Sequence, residues 1–123
     1  MLALKETPIG PAAFKQAMRS LVSGVTVIAT QDRLGACIGL TATAVTSLSV
    51  DPPSLLVCVN RSSAMAPALL SDTLFSVNVL AAGQADVAEA FGGQRGLRGT
   101  GKFARGHWYR SSPGTPLVVC QVW

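Results

Sequence analysis

At 123 residues the chain is long enough for one domain with a single hydrophobic core. Hydrophobic residues make up 49% of it and charged residues only 13%, low charge for a monomer in water, so part of the surface is expected to lie under a partner subunit. No run approaches the ~20 unbroken apolar residues of a membrane span, and the opening Met1-Leu2-Ala3-Leu4-Lys5 lacks a signal-peptide core; a cytoplasmic protein without membrane association is expected.

In chain order, residues 1–10 read as an N-terminal extension. Pro11 to Val22 then carries Phe14, Ala17, Met18 and Leu21 at helical spacing, so an amphipathic helix is expected, its Met and Phe packed in the core. Val25 to Thr30 is β-branched and reads as a strand. After a polar turn at Gln31–Gly35 the chain returns as a second strand, Ala36–Thr43, to form a hairpin. Strand alternation puts Cys37, Gly39, Thr41 and Thr43 on one small, polar-capable face that could lie against a ligand.

The stretch Gly39–Ser49 is uncharged, and five of its eleven residues are Thr or Ser. Ordinary loops carry charge or Asn/Asp turn signals, and ordinary buried strands are mostly Val, Ile and Leu. This stretch reads as the wall of a site for a flat apolar ligand. Asp51-Pro52-Pro53 is a break. Ser54–Val59 is expected as a strand buried on both faces. Asn60-Arg61-Ser62-Ser63 leads into an apparent helix, Ala64–Leu70, and offers hydroxyls, backbone N–H groups and a cation to an anion; capping of that helix by a serine is the simpler alternative.

Thr73–Leu80 reads as a strand with Phe75, Val77 and Val79 on one face, and its mid-strand Asn78 calls for a buried partner or a ligand. Gln84–Phe91 is a short helix stopped by Gly92-Gly93. The loop from Gly92 to Gly106 contains Gly96-Leu97-Arg98-Gly99-Thr100-Gly101-Lys102-Phe103, close to a phosphate-binding loop, but Phe103 stands where a Mg²⁺-binding hydroxyl is needed. An NTPase is excluded; a mobile, charged loop beside a cofactor or substrate fits better. His107-Trp108 opens a last segment, and Pro116–Val122 reads as a final strand.

The remaining titratable groups narrow the chemistry. The three cysteines, Cys37, Cys58 and Cys120, and the single histidine, His107, would all be required for one zinc site; buried reduced thiols and no metal are expected. No catalytic triad is legible. Half of the ten Lys and Arg residues follow Glu89, the last acidic residue. Such a tail suits phosphate or a solvated loop, and with so few aromatics near it nucleic acid is not expected.

Taken in order, Phe14–Thr30, Gly39–Ser63, Phe75–Gln84, Lys102-Phe103 and Trp108 resemble the flavin reductase-like family. The resemblance implies a mainly β fold with short helices, an FMN-binding split β-barrel of Greek-key type. It also implies FMN or FAD as cofactor, NADH or NADPH as hydride donor, a homodimer, and an oxygenase component that receives the reduced flavin. By that likeness Thr41, Ala42 and Thr43 line the isoalloxazine, and Ser47, Leu48 and Ser49 meet the ribityl chain or ring edge. Asn60, Ser62 and Ser63 hold the phosphate end, and Lys102 and Phe103 close over the flavin; no catalytic acid or base is implied. Family members continue through further strands, including a Gly-Asp-His-like segment this sequence lacks. The expected barrel is therefore incomplete after about residues 116–123, in a short variant, a fragment, or a barrel completed by another chain. A non-catalytic flavin-binding or dimerisation module, or an inactive fragment, is the alternative function.

Overall fold

The strand that sequence marks first, β1 (Thr26–Gln31), organises the fold. A computed structural model describes residues 8–70 and 73–119. In it β1 lies between β2 (Cys37–Ala42) and β5 (Ser76–Val79), antiparallel to both. The β1–β2 hairpin closes through Asp32, whose Oδ1 accepts from the N–H groups of Leu34 and Ala36, each at 2.9 Å. Thr26 through Thr30 are all buried, so β1 is covered on both faces. On one face Val27 and Ala29 meet α3 (Ala85–Phe91) through Val87, Ala90 and Phe91; on the other Ile28 packs with Ala42 and Met65. Thr26 and Thr30 are tolerated there because each hydroxyl donates to a backbone carbonyl, of Ala42 and Leu74 respectively, at 2.7 Å.

A second hairpin, β6 (Trp108–Arg110) with β7 (Pro116–Val118), is held against β5 by polar groups. Asn78 accepts from Val118 N–H at 3.0 Å through Oδ1 and donates to Val27 O at 3.0 Å through Nδ2. The Ser76 hydroxyl donates to Pro116 O. The mid-strand Asn thus has the buried partners that its unusual position demands.

Two expectations fail, for one reason. Strands β3 (Val45–Val50) and β4 (Pro53–Val57) form a separate two-stranded ribbon with a register shift between Ser47 and Ser49. β4 is not buried on both faces: Leu55 and Leu56 are 55% and 48% exposed. The helix α1 is Pro11–Arg19, shorter than expected, and none of its residues is buried; Phe14 is 54% exposed. Apolar pattern gives the face an element wants covered, but among the described residues only Val45 and Val57 of the ribbon pack against the Ile28, Ala42 and Met65 cluster, while Val50, Leu55, Leu56 and α1 stay uncovered. Other differences are local. The helix after Ser63 is a single turn, α2 (Ala66–Leu69). In the strand from Thr73, Phe75 and Val79 are exposed. Residues 1–7 of the expected extension, and residues 120–123 with the end of the expected last strand and Cys120, lie outside the described residues.

Candidate functional site

The Gly39–Ser49 stretch does not form one wall. Gly39 faces α3: a Cβ placed there would lie 2.8 Å from Phe91 Cε1, so only glycine lets the helix end pack this close. The register at Ala29–Gly39 is regular, so this glycine marks a close approach and no bulge. Thr41 Oγ1 donates to Ala88 O at 2.6 Å. The small face of β2 is therefore largely spent on α3, and only its far end opens to solvent.

That end borders a cleft of about 450 Å³, within the range of cofactor-sized sites. Thr41, Ala42 and Thr43 line one side, Asn60 and Ser63 another, and Lys102 a third. Three segments separated by up to some sixty positions in sequence thus converge. Of the residues expected at the site, Ser47, Leu48, Ser49, Ser62 and Phe103 do not line it. Ser47 and Leu48 are exposed on the β3 ribbon, and Ser49 Oγ bonds locally to the backbone of Asp51. Phe103 packs edge-on against Phe91 and Trp108, with ring centroids 4.9 and 4.8 Å away. It anchors its loop in the core instead of facing the cleft. The loop expected to be mobile carries a six-residue 3₁₀ turn, Gly99–Ala104, held by this aromatic trio.

The donors of the cleft can be counted. Asn60 Oδ1 accepts from Ser62 N–H at 3.0 Å and from Ser62 Oγ at 2.9 Å. Ser63 Oγ accepts from Met65 N–H at 3.2 Å, which leaves its own proton to donate. This is a turn around the Asn60 side chain; the four-residue α2 has no side-chain cap and contributes no helix-terminus site. Lys102 Nζ reaches the carbonyls of Gly39 and Phe91, both at 3.4 Å, long enough to be exchanged for a better acceptor. Burial lowers the Lys102 ammonium below its ordinary 10.5. An amide, a hydroxyl and a cation, all able to donate, suit an anionic group, and Ala42, Ala44, Gly92 and Gly93 leave room beside it.

Sequence reasoning missed Phe91, the Gly92-Gly93 pair and Cys58 as cleft residues. Cys58 is exposed, not buried as expected, because it follows the uncovered β4. A signal for Phe91 was present: an aromatic at a helix end beside two glycines, opposite a strand glycine. A larger apolar groove of about 870 Å³ lies on the other side of β4, lined by Leu55, Leu56, Leu69 and Phe75 with Arg61 at its edge. Among the described residues its polar lining is Arg61 and Thr73, whereas the smaller cleft gathers Thr41, Thr43, Asn60, Ser63 and Lys102 and is the better site.

Comparison with known proteins matches residues 18–120 to the flavin reductase like domain. The chain belongs to this family. The FMN reductase (NADH) RutF of Ancylobacter novellus is 38% identical over 120 residues, covering 98% of this chain and 65% of that protein. An FMN reductase (NADH) RutF 1 of Methylorubrum extorquens is 43% identical over 112 residues, covering 91% and 54%. This member of the family thus spans between about half and two thirds of those relatives' length. Among solved structures, BorF, the flavin reductase component of a bacterial two-component tryptophan halogenase, superposes with a TM-score of 0.77 at 34% identity, over 89% of this chain and 68% of that one. The NADH:FAD oxidoreductase SgcE6 of Streptomyces globisporus, in complex with NAD and FAD fragments, gives 0.74 at 29% identity, over 93% and 68%. The architecture described above is thus the flavin reductase-like fold, mainly strands with short helices. Among the described residues, no helix is long and apolar enough to cross a membrane.

Proposed function

We propose that the chain binds FMN, with FAD as the alternative flavin, in the cleft between β2, the Asn60–Ser63 turn and Lys102, and serves in NADH-dependent flavin reduction. The observation that carries this reading is the convergence of Thr41–Thr43, Asn60, Ser63 and Lys102 on one cleft, in a chain whose relatives are named FMN reductases. Bound flavin supplies the ring that takes a hydride from the nicotinamide. The chain's own part is to bind and orient. The Thr41–Ala44 backbone and the small residues beside it give a flat ring a close seat. Asn60, Ser63 and Lys102 hold the phosphate end by charge-assisted hydrogen bonds. Phe91, anchored by Phe103 and Trp108, fixes the floor. No protein acid or base is assigned, since hydride transfer between two oriented rings asks for none.

The exposed ribbon and α1 support the reading that this chain works as a homodimer, with reduced flavin passed to a separate oxygenase component. NADH oxidation dependent on added FMN tests the activity. The same ribbon favours one second reading, a flavin-binding or dimerisation module without turnover: FMN binding with no NADH oxidation would select it.

A further inference from the structure

Lys102 and Phe103 are consecutive, yet they grip opposite ends of one residue. Lys102 Nζ donates to the Phe91 carbonyl, and to that of Gly39, at 3.4 Å, while the Phe103 ring packs edge-on against the Phe91 ring at 4.9 Å. The Phe103 ring also meets the Trp108 ring, at 4.8 Å. Trp108 ties the same loop a second time: its indole Nε1 donates to Arg105 O at 2.6 Å, one residue past the Gly99–Ala104 turn. Trp108 is itself fixed. It pairs with Val118 across the β6–β7 hairpin, and Val118 N–H is held by Asn78 of β5. Between these ties Gly106 takes a φ of +81°, and a Cβ there would lie 3.1 Å from both Val87 and Val118, so the chain passes close to the core at this joint.

We propose that Trp108 is a positioning residue: outside the cleft lining itself, it holds the Gly99–Ala104 turn against the core so that Lys102 stays at the cleft. This rests on the flavin-binding reading above for the identity of the ligand, and adds the part of the chain that sets the cation in place. The ionisable groups on the elements around Lys102 are Cys37 on β2, Asp86 and Glu89 on α3, Cys58 in the cleft lining, and Arg98 and Arg105 flanking the turn. Among the described residues none of them makes a hydrogen bond or ion pair with Lys102. Burial alone lowers its pKa, so the titration of this lysine reports how firmly the turn is held.

The test uses the full chain and two readouts. In the first, acetic anhydride labelling over a range of pH, resolved by mass spectrometry with the exposed Lys15 as internal reference, gives the Lys102 titration midpoint without any flavin. Trp108→Phe keeps a ring but loses the N–H, and the midpoint rises toward the ordinary 10.5. Gly106→Ala, which pushes the same joint outward, raises it too. In the second, Trp108→Phe weakens FMN about threefold and leaves riboflavin, which lacks the phosphate, unchanged. In the Lys102→Met background it has no further effect on FMN, the signature of residues that act as a unit. A midpoint unmoved in both folded variants, or an equal loss of FMN with and without Lys102, overturns the assignment and leaves flavin binding standing. Failure of the unaltered chain to bind FMN overturns the flavin reading, while the labelling midpoint still decides whether Trp108 sets Lys102.

Discussion

The two halves of the molecule handle apolar sequence in opposite ways. Around β1, residues Val27 to Ala29 are completely buried, and Phe91 fits a strand glycine on one side and two aromatic rings on the other. Along β3–β4 the same kinds of residue, Val50, Leu55 and Leu56, stand in solvent. Composition does not separate them; the number of layers does. A strand between two neighbours with a layer on each face is finished, whereas a two-stranded ribbon needs something across it. The cleft lies where the halves meet, with a closed wall from α3 and β2 and an open wall from the end of β4.

Substitutions can break this comparison. The largest expected effect is Phe91→Ala, which empties the closed half and should cost about 3–5 kcal/mol in chemical denaturation; a loss under about 1 kcal/mol would show that the core lies elsewhere. Next, Asn78→Ala removes the groups that hold Val27 O and Val118 N–H and should cost about 2 kcal/mol; an unchanged midpoint would mean the β6–β7 hairpin docks without it. Lys102→Met should weaken FMN about tenfold in a flavin titration and leave riboflavin nearly unchanged. At the open half Val50→Asp should shift unfolding of the isolated chain by no more than about 0.5 kcal/mol. It should still disturb any self-association seen by sedimentation.

The lysine also gives a pH dependence with a definite sign. Burial lowers the Lys102 pKa in the free cleft, and a bound phosphate restores the charged form. Binding therefore takes up a proton above that lowered value, and FMN affinity falls as pH rises through it. Riboflavin affinity should stay flat over the same range, and Lys102→Met should abolish the step; an identical slope for both flavins would remove Lys102 from the phosphate end.

Much of the closed half was legible from residues alone. The β1–β2 hairpin follows from β-branched strands around an Asp turn, α3 from its Gly-Gly stop, and the partners of Asn78 from the cost of burying an amide. The open half was misread because apolar pattern, amphipathic at Phe14 and continuous at Leu56, reports a demand for burial and not whether the demand is met. The site was half legible. Thr41–Thr43, Asn60, Ser63 and Lys102, which the family likeness sets at the flavin, line one cleft. The same likeness sets Ser47, Leu48 and Ser49 at the flavin, but the break between β2 and β3 carries them onto another sheet. The likeness also sets Phe103 over the flavin, but its ring partners here are Phe91 and Trp108.

The most direct test of the account is a titration of FMN into the purified 123-residue chain, followed by quenching of flavin fluorescence. Saturable quenching that Lys102→Met weakens and riboflavin reproduces only with lower affinity is the result expected of a cleft built for a phosphorylated flavin. A folded chain that leaves FMN fluorescence unquenched, or binds FMN and riboflavin alike with and without Lys102, would contradict it.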